Sequence, residues 1–189
     1  MPTESPLEIV EQPLPYASRL ESRPAEQVDL VVIHCTEVPT LAESREFGER
    51  VHYDSGTGNS GHYYVDRDGS VHCYVDPARI AHHTRGYNAR SIGIELVNTG
   101  RYPHWLSADH QAMDEPYTEA QIAALIALLQ RLQSEIPSLR HVAGHEDLDT
   151  TEVAASDDPT KMVRRKRDPG PLFPWDRVLG EIGLQRLTG

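Results

Sequence analysis

Long apolar runs are missing from this 189-residue chain. No window approaches the roughly 18 apolar residues that a membrane-spanning helix requires, so no span is expected. Cysteine is scarce: Cys35 and Cys73 stand far apart with no CxxC pattern, which excludes a disulfide framework and a zinc knuckle. Basic residues are outnumbered, 18 Lys and Arg against 29 Asp and Glu, for a formal net charge of -11. A field of that sign repels polyanions, so nucleic acid is not an expected partner. There is no internal repeat. The amino-terminal stretch MPTESPLEIVEQPLPY is acidic and proline-rich, without the basic and apolar regions of a Sec signal peptide. The expectation is a cytoplasmic protein, or one exported without such a signal and able to act in the periplasm. Nothing in the composition speaks to oligomeric state.

A mass of 21.2 kDa with 38% hydrophobic and 25% charged residues suits one domain with a real core. Residues 1–25 read as an extended lead-in to a domain over 26–189. VDLVVIHCT, residues 28–36, is a near-continuous β-branched run, the pattern of a strand buried on both faces. Residues 41–53 have helical spacing. HYYVDRDGSVHCYVD reads as a β-hairpin turning at Asp68-Gly69, and SIGIELVN as a second buried strand. The segment from Thr118 is the clearest helix, with Gln121 completing a capping box and Pro137 ending it. RHVAGHED reads as a short strand running into a loop, and PWDRVLGEIG as a closing helix. Alternating strands and helices with one inserted hairpin predict an α/β fold: a single domain with a central mixed β-sheet flanked by helices. Residues 148–165 are expected to form a polar loop insertion, and long loops in small domains are commonly functional.

Ten histidines are more than the rest of the composition would suggest. His34 ends the first buried strand and His145 follows another, after a glycine that lets the chain turn. Taken singly, either is explained by a core imidazole bonded to a backbone carbonyl. Asp168, in KRDPGP, is held extended by Pro169 and would by itself be a turn residue. Together, two strand-end histidines and one fixed carboxylate make an N,N,O set with a fourth position free, the pattern of a catalytic zinc site. It is not HExxH, since EDLD follows His145.

Five ordered blocks, VVIHCT, SGHYYVDRDGSV, AHHTRGYNARSIGIEL, GHEDL and KRDPGP, resemble the N-acetylmuramoyl-L-alanine amidase family. These are zinc amidases of the type that includes AmpD-like enzymes and phage T7 lysozyme, related to the peptidoglycan recognition proteins. The resemblance spans roughly residues 28–179, and the segment before KRDPGP is most similar to the larger AmpD-homologue branch. It implies a peptidoglycan-recognition-protein-like fold. It also implies a Zn2+ cofactor on His34, His145 and Asp168, a catalytic carboxylate at Glu95, a catalytic lysine at Lys166 and a cleft-lining histidine at His83. Some relatives use a tyrosine just before the hairpin histidine, where this chain has Gly61.

The implied activity is hydrolysis of the amide between N-acetylmuramic acid and L-alanine in peptidoglycan or muropeptides. Two rivals stand beside it: a non-catalytic peptidoglycan-binding protein of the same fold, and a peptidase using Cys35 with His and Asp. Strand alternation sends Cys35 to the face opposite His34 and turns His82 away from His83. In VRRKRDPGPLFPW, Lys166 and Asp168 are expected to point one way, with Arg165 and Arg167 facing away to anchor the acidic segment before them.

Overall fold

Six fully buried residues, Leu30–Cys35, form the strand around which the sheet is built. The computed structural model describes residues 7–188, so the first six residues of the lead-in and Gly189 lie outside it. In chain order the elements are β1 (Ile9–Glu11), β2 (Leu30–Cys35), α1 (Leu41–Glu49), β3 (Tyr63–Val65) and β4 (Val71–Cys73). They continue with β5 (Ser91–Leu96), α2 (Glu119–Glu135), β6 (His141–Gly144), α3 (His145–Leu148), β7 (Glu152–Ala154), β8 (Met162–Arg164), α4 (Trp175–Glu181) and β9 (Gln185–Arg186). The sheet runs β1-β4-β3-β5-β2-β6-β9. Only the β3–β4 hairpin is antiparallel; β2 pairs in parallel with both β5 and β6. The architecture is therefore the expected α/β one, a mixed sheet flanked by helices.

Alternation along the two central strands sorts the residues by face. Val31, Ile33, Ile92, Ile94 and Leu96 join one cluster with Ile122, Leu125, Leu128 and Leu129 of α2 and Val178 of α4. This is the main core, and α2 owes its orientation to that apolar stripe. Its first turn is closed by Thr118 and Gln121 in a reciprocal capping box. His34 and Glu95 have the opposite parity and face away from α2. Part of that second face is covered by residues before β2: Leu14, Tyr16 and Leu20 pack on Tyr64 and Tyr74. The lead-in is thus an integral layer, and it also supplies β1, which lies alongside β4.

Several local expectations change. The first helix ends at Glu49 rather than Tyr53, with Arg50 extended. The chain then folds back: the amides of His52 and Tyr53 both donate to Thr57 O. A Cβ on Gly58 would stand only 1.8 Å from Arg50 O, so glycine is what lets the loop close there. After β6 the chain makes a helical turn, α3, where a loop was expected. Residues 148–165 carry the two-stranded hairpin β7–β8, in which Val153 faces Val163. Two short apolar registers in a polar segment are too weak a pattern to stand out in sequence. No helix among the described residues is long and apolar enough to cross a membrane.

Candidate metal centre and cleft

The carboxyl ends of the parallel strands β2, β5 and β6 meet at one edge, where open α/β sheets form their crevices. His34 on β2 is the register partner of Glu95 on β5, so the two side chains leave the same face side by side. His145 begins α3 immediately after β6. Asp168 reaches the same point from 134 residues away: its Oδ2 lies 2.8 Å from His34 Nδ1 and 3.1 Å from His145 Nδ1. The chain is held there by its backbone, since Glu146 N donates to Asp168 O at 2.9 Å. Gly144 serves close approach rather than a tight turn. Its φ is -78°, and a Cβ there would meet Pro169 Cδ at 2.9 Å.

One ligand atom each from His34, His145 and Asp168 lies within 4.8 Å of the others, and all three residues are buried. Two imidazole nitrogens and a carboxylate oxygen make a donor set suited to a metal ion. Asp168 Oδ1 and His145 Nε2 are buried without a hydrogen-bond partner, an arrangement costly for a cluster with no further ligand to satisfy. Burial lowers the His34 pKa to about 4 against the pull of Asp168. Its imidazole is therefore neutral near pH 7, the form that binds metal. Burial alone would raise the Asp168 carboxyl, but His145 and His34 hold it well below the ordinary carboxylate range.

His83 lies behind this cluster, its Nδ1 3.0 Å from His34 Nε2, with Thr84 Oγ1 3.3 Å from the same nitrogen. A Cβ on Gly93 would stand 2.7 Å from the His83 ring, so that glycine is what lets the ring lie on the strand. Glu95 Oε1 is 4.0 Å from His34 Nδ1. Burial raises its pKa well above 4.5; the Asp168 charge adds to this and Lys166 opposes it. Gly61 makes the room: a Cβ there would meet Glu95 Cγ at 2.9 Å.

The cluster opens into a cleft of about 700 Å3 lined by Glu95, Lys166, Trp105, Tyr53, His82 and Arg85, among others. Lys166 is one of two lysines in the chain and makes no salt bridge among the described residues. His82 lines this cleft together with His83 and packs edge-on against Tyr53. The expectation that it turns away fails because residues 81–83 are not in a strand, so alternation does not apply. Arg165 borders the cleft as well while pairing with Asp149 of the preceding segment. Arg167 donates instead to Gln111 O at 2.8 Å, anchoring the loop after β5 and not the acidic segment.

Cys35 is buried, and burial, with the charges of Asp168 and Glu37, raises its thiol pKa well above 9.0. Such a thiol is a poor nucleophile. His62 is structural: its Nδ1 accepts from Gly93 N at 3.0 Å and its Nε2 lies 2.9 Å from Arg79 O. Burial, reinforced by Arg23, lowers its pKa from 6.5 to about 3. An unfolded chain takes up protons on His62 and His34 that the folded one refuses. Stability of the metal-free protein should therefore fall as the pH drops from about 6.5 toward about 3. Urea midpoints measured near pH 7 and pH 5 check this, and equal midpoints would exclude it.

A residue pair that sequence reasoning missed also borders the cleft: Arg101 and Glu37, joined by a bidentate contact. Lone polar residues in loops leave no periodic signal.

A family model described as N-acetylmuramoyl-L-alanine amidase matches residues 24–171. The chain is 28% identical over 134 residues to the endolysin of Escherichia phage T7, covering 68% of this chain and 82% of that one. It is 32% identical over 122 residues to 1,6-anhydro-N-acetylmuramyl-L-alanine amidase AmpD of Enterobacter cloacae, covering 60% of this chain but only 51% of the relative. Among solved structures, Escherichia coli AmiD in complex with anhydro-N-acetylmuramic acid-L-Ala-D-gamma-Glu-L-Lys superposes with a TM-score of 0.63 at 25% identity. That match covers 82% of this chain and 57% of AmiD.

Proposed function

Because this chain belongs to the N-acetylmuramoyl-L-alanine amidase family, we propose that it hydrolyses the amide joining N-acetylmuramic acid to L-alanine in peptidoglycan or its muropeptide fragments. The observation that carries the reading is the convergence of His34, His145 and Asp168 at the floor of a cleft beside Glu95. The N,N,O donors suit zinc, with His34, His145 and Asp168 as its ligands. Bound zinc supplies Lewis acidity, which in the best-studied case lowers the pKa of water from about 16 to about 7.

The rest is work for the chain's own side chains. Glu95, ionised, takes the proton of the attacking water and, protonated, delivers it to the leaving amine of L-alanine. Its raised pKa suits both halves of that cycle. Lys166 places a cation where the carbonyl oxygen of the lactyl group gains negative charge, a contribution of roughly 2.7–4 kcal/mol when such a donor is removed. His83 and Thr84 hold the outer nitrogen of His34 and so fix the ring, the usual office of groups behind a metal ligand. His83 thus acts through His34 while also forming part of the cleft wall.

Muropeptide binding by AmiD supports the substrate class, and the cleft is large enough for a sugar with several peptide residues. The test is incubation of the zinc-loaded protein, with and without chelator, on intact sacculi and on a soluble muropeptide, with released stem peptides identified by mass. Stem peptides beginning at L-alanine and lost on chelation are expected. Their absence from both substrates, or release that survives chelation after His34→Ala, would sink the reading. Release from sacculi marks an enzyme that meets the wall itself; release from the muropeptide alone marks one that acts on soluble fragments.

A further inference from the structure

We propose that the buried Arg101–Glu37 pair positions Lys166 for the reaction, an inference that rests on the reading of Lys166 given above. Arg101 is 1% exposed, and its guanidinium donors are spread over three segments. Nε donates to Glu37 Oε1 at 2.8 Å and Nη2 to Glu37 Oε2 at 3.1 Å. Nη1 donates to Arg164 O at 2.9 Å and to Gln111 Oε1 at 3.2 Å, and Nη2 to Arg165 O at 3.2 Å. Glu37 follows His34 by three residues. The Arg165 carbonyl belongs to the peptide bond that leads directly into Lys166. One planar, rigid fork therefore ties the end of the strand bearing His34 to the backbone from which Lys166 departs.

Two observations set this apart from ordinary core bridging. Glu37 has φ +49°, the one positive value for a non-glycine residue among the described ones. Such conformations persist where the surroundings over-determine them and gather at functional sites. The loop carrying Arg101 is shaped to admit it: a Cβ on Gly100 would stand 2.6 Å from Glu37 Cγ. Moreover, a buried ion pair is a poor source of net stability compared with apolar residues of similar size, so stability alone does not account for it.

The target is Lys166 rather than Asp168. Asp168 has anchors of its own in His34, His145 and the Glu146 amide. Among the described residues Lys166 has no side-chain partner, so the direction of its backbone decides where its ammonium lies. Displacement of a reacting group by about 1 Å can cost on the order of a hundredfold in rate.

The experiment is a double-mutant cycle on the zinc-loaded full chain, with the soluble muropeptide N-acetylmuramyl-L-Ala-γ-D-Glu-L-Lys as substrate. Glu37→Gln should lower kcat roughly tenfold to a hundredfold, leave KM within about twofold and leave bound zinc unchanged. In a Lys166→Ala background the same substitution should do almost nothing further, because the group it positions is gone. If Glu37→Gln does not fold, Arg101→Lys takes its place; it keeps the charge but cannot span both carbonyls and the carboxylate. Equal losses with and without Lys166, or a loss confined to KM or zinc content, would overturn the proposal. A Lys166→Ala variant as active as the parent would instead remove the reading of Lys166 on which it rests.

Discussion

Glu95→Gln is expected to bind zinc as the parent does and to hydrolyse the muramyl amide about 10²–10⁴-fold more slowly, the span attributed to a positioned general acid–base group. The substitution keeps the size of the side chain and one carbonyl acceptor, so the loss reports the proton and not the packing. Position favours the assignment: Glu95 is the neighbour of His34 across the β2–β5 ladder, 4.0 Å from its ring. Environment favours it too, since burial and the Asp168 charge raise its pKa well above 4.5. As Glu95 must be ionised to accept a proton, kcat/KM should fall along an acid limb that follows this carboxyl. Lys166 opposes that rise, so Lys166→Ala should move the limb to still higher pH. Steady-state rates across pH, with zinc measured in each variant, decide the matter. Undiminished turnover in Glu95→Gln would reassign the proton-transfer role.

The second large effect belongs to Asp168→Ala. Its Oδ2 stands between both imidazoles, and without it the site has two nitrogen donors, below the three protein ligands of a catalytic zinc site. Even groups that merely orient ligands are worth about 10–100-fold in metal affinity, so losing a ligand should cost on the order of 100-fold or more. Hydrolysis should fall to background. A second readout needs no turnover: ligand binding to the folded state raises stability by RT ln(1 + [L]/Kd). Zinc should therefore raise the Tm of the parent and leave that of Asp168→Ala nearly unchanged at the same concentration. A variant that holds zinc through dialysis and keeps its thermal shift would show that Asp168 is not a ligand.

The parts of this molecule that could be read in advance are those whose physics is local. Leu30–Cys35 is a strand because β-branched residues buried on both faces leave a near-continuous apolar run. Glu119–Glu135 is a helix because Thr118 and Gln121 cap it and leucines recur at helical spacing. The β3–β4 turn follows from Asp68-Gly69, with Gly69 at φ +86°. Local rules mislead beyond their domain. Strand alternation does not govern His82, which lies outside any strand, and polarity over residues 148–165 hides the Val153–Val163 register of a hairpin.

The candidate site divides the same way. That His34 ends a strand, that His145 follows one and that Pro169 confines Asp168 are properties of short stretches. Their motif order is enough to suggest the family whose model matches residues 24–171. Their meeting is not a property of any stretch. Parallel pairing of β2 with β5 and β6 brings three strand ends to one edge, and a chain 134 residues downstream returns to fill the third corner. The space for Glu95 beside Gly61, the ring of His83 over Gly93 and the Arg101–Glu37 clasp depend on contacts between segments remote in sequence. Periodicity and turn chemistry carry no record of such contacts, because they arise only when the sheet has assembled and its faces have been covered.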